Sequence, residues 1–283
     1  MNLLQSFLLG IIQGLTEFIP VSSTAHLLIG QQLLGLPADD ATFSFLVIVQ
    51  LGTLVSLFIF YGRDLWLILR AMLTDFRSLR GAPPKRSGGG RDFGSLRPEA
   101  KLGWFILLAS IPALLAGYFL KDAVEALFRQ PMLEASIRLL TAAVLLTLAE
   151  WLTKKNRKLD SMNWLDALLI GIMQIISVFP GASRSGTTIA GGMFRGLDRS
   201  SAARFAFLMS VPVMLAAGAY QMLDVVQMPN LGQFLPLLAA GFVTAAIVGW
   251  FAVRWLIGYL GKHSLYAFAG YCAMLGVITF FLR

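Results

Sequence analysis

Five stretches of this chain, 43 to 61, 102 to 120, 205 to 223, 231 to 253 and 264 to 282, each run for at least 19 residues without a charged side chain. A helix needs about 20 apolar residues to cross the hydrocarbon core of a bilayer, so this feature restricts the fold more than any other. In water the runs would have to be hidden, and too few polar residues exist to cover them: 57% of the 283 positions are hydrophobic and 13% are charged. The expected class is an all-α polytopic membrane protein. A sixth span is expected over 133 to 153, with Arg138 near one end, where its stem can snorkel to the interface. Pro112 and Pro212 fall inside two spans, which neighbouring helices tolerate.

Two further apolar stretches, 1 to 16 before Glu17 and 167 to 183 before Arg184, are too short to span. Each is followed by a Pro, Ser and Gly or Thr cluster and then a second short apolar arm. That pattern predicts a re-entrant helix-turn-helix pair, which enters and leaves the same face. The architecture read from the sequence is thus six transmembrane helices plus two re-entrant pairs, in one integral membrane domain over 1–283.

Charge fixes the expected orientation. Nine of the 23 Lys and Arg lie in 63 to 101, a segment with a Gly88-Gly89-Gly90 centre and no periodicity, which reads as a solvated cytoplasmic connector. Counting spans from there puts 18 of the 23 on the cytoplasmic side, including Lys154, Lys155, Arg157, Lys158, Arg195, Arg199 and Arg204. The net charge of +8 comes without any nucleic-acid-binding motif, so nucleic acid is not an expected partner. Cys272 is the only cysteine, which excludes an internal disulfide. The apolar N-terminus lacks a basic region and is broken by Gln13 and Glu17, and it reads as part of the mature protein.

The two halves resemble each other. Gly10, Gln13, Phe18 and Ser22 recur as Gly171, Gln174, Phe179 and Ser183 at an offset of 161, and the Phe43 to Leu46 run recurs from Phe205 at 162. Pseudo-repeats of about 1–153 and 163–283, each with one re-entrant pair and three spans, would be inverted relative to each other, so the two tips meet near the midplane.

The first tip runs from Gln13 to His26 (QGLTEFIPVSSTAH). Gln13 and Glu17 are one turn apart on one helical face, Ser22, Ser23 and Thr24 are natural N-caps for the second arm, and His26 lies one turn inside it. A capping cluster accounts for the serines but not for a carboxylate at membrane depth, which needs a cation or water-filled cavity beside it. The second tip, Pro180 to Thr188 (PGASRSGTT), combines glycines, a cap at Ser183 or Ser185 and the positive end of a helix dipole with the guanidinium of Arg184. Thr188, four residues on, shares the Arg184 face. This is chemistry for an anion, and the planar fork suits phosphate oxygens.

These two motifs closely resemble the signature motifs of the undecaprenyl-diphosphatase family, membrane phosphatases associated with bacitracin resistance, and the likeness extends over the full chain in span count and spacing. The resemblance implies hydrolysis of the C55 polyprenyl diphosphate to its monophosphate, which recycles the cell-wall lipid carrier. It implies a divalent cation, Mg²⁺ or Ca²⁺, and a bacterial inner-membrane site facing the periplasm. Carried over by position, Glu17, Ser23, His26 and Arg184 are the catalytic set. Ser22, Thr24, Ser183, Ser185, Gly186 and Thr188 bind substrate together with Arg184, and Glu17, with Gln13 as a second candidate, holds metal. Gln13 stands where many members carry another glutamate, and Ala25 replaces the usual glycine before the histidine.

The nucleophile expected from these residues is Ser23 or His26, which as i and i+3 could act as a pair with His26 as base, or a water activated by Glu17. The competing class is a polyprenyl-phosphate transporter or flippase, since broken helices in inverted repeats are also a carrier architecture. Small-residue steps such as Gly10 to Gly14 permit close helix packing within one chain or in a homodimer.

Overall fold

The structure, a computed structural model, describes residues 1–81, 96–120, 130–178, 182–228 and 230–282, and every regular element among them is helical. In chain order the helices are α1 (Leu3–Thr16), α2 (Ser23–Leu33), α3 (Asp40–Phe60), α4 (Gly62–Gly81), α5 (Pro98–Phe119), α6 (Pro131–Leu152), α7 (Trp164–Ile175), α8 (Arg184–Phe194), α9 (Arg199–Val225), α10 (Leu231–Leu260) and α11 (Tyr266–Phe281). Five of them, α3, α5, α6, α9 and α10, are long and apolar enough to cross a membrane. The sixth span expected over 133 to 153 forms α6, and the run expected over 264 to 282 forms α11, which at 16 residues is shorter than its apolar run. Large apolar side chains such as Leu115, Val144, Ile247, Phe251 and Met274 point outward, as a lipid-facing surface requires.

The two short apolar arms, α1 and α7, begin alike. Asn2 caps α1 with Gln5 returning the bond, and Asn163 caps α7 with Asp166 doing the same, both pairs being capping boxes at the same offset of 161. Each arm then packs on a long helix of the other half: α1 along α10, α7 along α5. The matched glycines make both approaches possible. A Cβ on Gly10 would sit 2.6 Å from the Gly241 carbonyl oxygen, and one on Gly171 2.4 Å from that of Ala109. Gly171→Leu is therefore expected to force α7 off α5 at a cost of about 1–3 kcal/mol, read as a lower unfolding temperature in detergent, and Gly10→Leu should act the same way on α1 and α10. The likeness fails at the other matched run: Phe45 and Phe207 are both buried, but Phe205 is fully buried while its counterpart Phe43 is half exposed.

The segment 63 to 101 departs from the expectation of a connector without periodicity. Its first part is the 20-residue helix α4, which packs on α5, with Ile68 and Met72 closing against Gly103. The apolar residues between the arginines fall at helical spacing on that face, while Trp66 and Leu73 remain exposed on others. The Gly88 to Gly90 centre lies outside the described residues.

Basic groups gather at one end of the bundle, tied to acids of which Asp166 and Glu150 are buried and Asp64 is partly exposed. Arg157 and Arg195 both bond Asp166 (2.6 and 2.7 Å), Arg199 bonds Glu150 (2.5 Å), and Arg204 bonds Asp64 (2.8 Å). Glu150 also accepts the Leu265 amide at 2.8 Å, so the start of α11 is fixed to the ends of α6 and α9.

Candidate active site

Both breaks end on a serine cap. After α1 stops at Thr16 the chain turns through Pro20 to Ser22, whose φ of 69° is in the left-handed region, a conformation costing a non-glycine residue roughly 1 kcal/mol or more. The Ser22 hydroxyl accepts the Ala25 amide of α2. At the second break the Ser183 hydroxyl accepts the Gly186 amide of α8 at 3.1 Å. Two helix N-termini thus open where the breaks lie, each presenting backbone N–H groups and the positive end of its dipole. Pro180 and Gly181, at the head of the second motif, lie outside the described residues.

The breaks meet through Glu17. Its Oε1 accepts from Arg184 Nη2, and its Oε2 accepts from both Gln13 Nε2 (2.6 Å) and Ser23 Oγ (2.7 Å). Gln13 and Glu17 share a face at i and i+4, as their spacing predicts, and Ser185 adds a contact from its hydroxyl to the Ile19 carbonyl. The Glu17 side chain is 3% exposed, so the guanidinium and two neutral donors take the place of water around a charge that would otherwise be costly at this depth.

A polar cavity of about 170 Å³ lies against this cluster. Its walls include Glu17, Ser22, Ser23 and Thr24 from the first break and Ser183, Arg184 and Ser185 from the second. Gln50 and Val213, each about halfway along α3 and α9, and Ala113, about two-thirds of the way along α5, also face it, which sets the cavity within the bundle away from its ends.

Four expected site residues lie elsewhere. Gln13 reaches the cavity only through Glu17. Gly186 spends its amide on the Ser183 cap, and the Thr188 hydroxyl bonds back to the Arg184 carbonyl at 2.8 Å, so the hydroxyl facing Arg184 is turned into its own helix. His26 is also turned away: Nδ1 is 2.9 Å from the Ser22 carbonyl and Nε2 is 2.7 Å from the Tyr271 hydroxyl, with the two rings stacked. The expected Ser23–His26 pair is absent from this geometry, because i, i+3 proximity on α2 loses to two stronger ring contacts, and the serine hydroxyl goes to Glu17 instead.

Arg138 also differs from its expectation. It does not snorkel: it is 5% exposed, bonded to Glu134 at 2.7 Å and to the Ala182 carbonyl at 3.2 Å, and it lines the cavity. Its position eight residues into α6 suggested reach to an interface, but the buried acid one turn earlier holds it inward. Sequence reasoning singled out Gln174 only as the repeat of Gln13, and Tyr271 and Gln50 not at all; Tyr271 stands 245 residues from the histidine it holds.

Among the described residues no three His, Cys, Asp or Glu side chains form a metal cluster. A hard divalent cation bound through one carboxylate and substrate phosphate oxygens needs fewer protein ligands. Glu17 provides that carboxylate, and Gln13 adds an amide oxygen, Oε1, buried without a hydrogen-bond partner. This donor set suits an oxygen-ligated cation completed by substrate rather than a closed protein cage.

A model of the bacitracin resistance protein BacA family matches residues 6–278, which include both breaks and the cavity between them. The chain belongs to the BacA family. It is 40% identical over 285 residues to the undecaprenyl-diphosphatase of Chlorobium phaeobacteroides (strain BS1), covering 98% of this chain and 95% of the relative. It is 40% identical over 287 residues to that of Chloroherpeton thalassium, with the same coverage of both chains. The undecaprenyl-diphosphatase of Rubrobacter xylanophilus is 40% identical over 271 residues, or 96% of this chain and 94% of the relative.

Proposed function

We propose that this chain hydrolyses undecaprenyl diphosphate to the monophosphate and inorganic phosphate in the bacterial inner membrane, with the site opening toward the periplasm and the basic end of the bundle in the cytoplasm. The observation that carries the reading is the chain of contacts Ser23–Glu17–Arg184 on one polar cavity within the bundle: a hydroxyl, a base and an anion clamp in mutual reach. The six-span inverted repeat belongs to the same reading and is supported by the paired capping boxes and the crossed packing of α1 and α7.

In the mechanism we favour, Arg184 leaves Glu17 for the oxygens of the terminal phosphate, helped by the N-termini of α2 and α8. The freed carboxylate takes the Ser23 proton as the serine oxygen attacks the terminal phosphorus in line. The Ser–O–P bond forms, the bond to the bridging oxygen breaks, and the lipid monophosphate leaves as an anion. Glu17 gives the serine proton up to the departing monophosphate, its carboxylate then takes a proton from the water that hydrolyses the phosphoserine, and that proton returns to the serine oxygen as inorganic phosphate leaves. A divalent cation held by Glu17 and Gln13 would supply charge neutralisation on the phosphate oxygens. Labelled phosphate trapped on the wild-type protein and absent from Ser23→Ala is the expected signature of this route; label retained in Ser23→Ala and lost in His26→Ala would move the nucleophile to the histidine.

The purified protein in detergent should release inorganic phosphate from a polyprenyl diphosphate, lose that activity with a chelator and regain it with Mg²⁺ or Ca²⁺. No release above an Arg184→Ala control would favour the carrier reading, in which the same cavity binds phosphate without cleaving it.

A further inference from the structure

A diphosphate has two phosphates, and the contacts above account for one. The wall of the cavity contributed by α6 and α7 is polar as well. Arg138 lines it from α6, with its guanidinium oriented by Glu134 on one edge and the Ala182 carbonyl on the other. Gln174 lines it from the last turn of α7, 1% exposed, and both atoms of its amide are buried with no hydrogen-bond partner. A buried amide with neither donor nor acceptor satisfied is expensive, and a partner that occupies the cavity removes the cost. The side chain offers a donor nitrogen and an acceptor oxygen, and it lines the same cavity as a fixed cation.

We propose that Arg138 and Gln174 form a second anion subsite, which holds the lipid-linked phosphate while Arg184 and the serine caps hold the terminal one. The inference rests on the hydrolase reading for the assignment of the two phosphates, but not for the existence of the subsite. The arrangement gives Arg138 two duties: its bond to Ala182 also fixes the residue just before the Ser183 cap, so the two subsites share one rigid wall. A monophosphate product keeps only the contacts of this second subsite, and inorganic phosphate only those of the first.

The test uses Gln174→Leu and Arg138→Lys in the full-length protein, with three probes: farnesyl methylenediphosphonate, farnesyl monophosphate and inorganic phosphate, each as an inhibitor and as a ligand by direct titration. The subsite predicts that both variants bind the diphosphonate and the lipid monophosphate about tenfold more weakly, with KM raised to match; in Gln174→Leu, kcat changes less than about threefold and inorganic phosphate inhibition is unchanged, while in Arg138→Lys, whose Ala182 bond also supports the Ser183 cap, inorganic phosphate weakens less than the lipid probes. Gln174→Leu is the decisive variant, because deleting an unpartnered amide from a buried site is neutral or stabilising if the residue is only structural. Unchanged affinity for the lipid probes in a folded Gln174→Leu protein overturns the proposal, as does equal weakening of all three ligands, which signals a distorted cavity. If the wild type binds the diphosphonate with this dependence on Gln174 yet releases no phosphate, the hydrolase reading fails and the subsite stands.

Discussion

Arg184→Ala is expected to lower kcat/KM for phosphate release by about 10³-fold or more, the range seen when a preorganised charge is removed from a developing phosphoryl anion. Arg184 lies on the cavity in contact with the carboxylate that also holds Ser23, so the substitution removes the clamp and frees Glu17 at once. Arg184→Lys keeps the charge but loses the planar fork, and should recover only part of the rate. Stability provides the control. Deleting the guanidinium strands a side chain that is 3% exposed, at a cost of about 1–3 kcal/mol. Glu17→Gln in the same protein removes the stranded charge, so the double variant should regain unfolding temperature while remaining inactive.

Ser23→Ala and His26→Ala should differ sharply. The Ser23 hydroxyl is 2.7 Å from Glu17 on the cavity wall, and removing it eliminates the nucleophile of the favoured route, with an expected loss of about 10³-fold. His26 has both ring nitrogens engaged away from the cavity. Because the Ser22 carbonyl only accepts, Nδ1 carries a proton, and neutral His26 then accepts the Tyr271 hydroxyl at Nε2. Its role in this geometry is to hold the start of α2, and through it the left-handed turn at Ser22. His26→Ala should therefore cost about tenfold or less, and Tyr271→Phe should follow it in the same direction with a smaller effect. Rates measured side by side with one polyprenyl diphosphate check this; an equal loss in His26→Ala and Ser23→Ala, with Tyr271→Phe unaffected, would place the histidine in the chemistry.

What the sequence made legible was local. Long uncharged runs announced α3, α5, α9 and α10, and the i, i+4 spacing of Gln13 and Glu17 announced a contact that the structure contains. Serine after proline or glycine announced both caps. Contacts set by the meeting of distant helices were not legible: Arg138 read as a snorkelling residue because its Ala182 partner lies 44 positions away, and nothing near His26 pointed to Tyr271. Proximity on one helix suggested a Ser23–His26 pair, whereas the turn between α1 and α2 gives Ser23 to Glu17. In α4 the helical spacing of Leu65, Ile68 and Met72 was present but overshadowed by the surrounding arginines, which dominated the reading of 63 to 101 as solvated. The second break was found from composition, since short apolar arms cannot span, and its geometry depends on the distant packing of α7 on α5.

The central claim is that the two broken segments make one catalytic unit through Glu17 and Arg184. A double-mutant cycle on kcat/KM for phosphate release, using Glu17→Gln, Arg184→Lys and the combined protein, tests it most directly. Residues that act together lose their function once, so the combined variant should be at least about tenfold more active than the product of the two single losses predicts. Losses that multiply independently would mean that the two segments act separately, and would contradict the account.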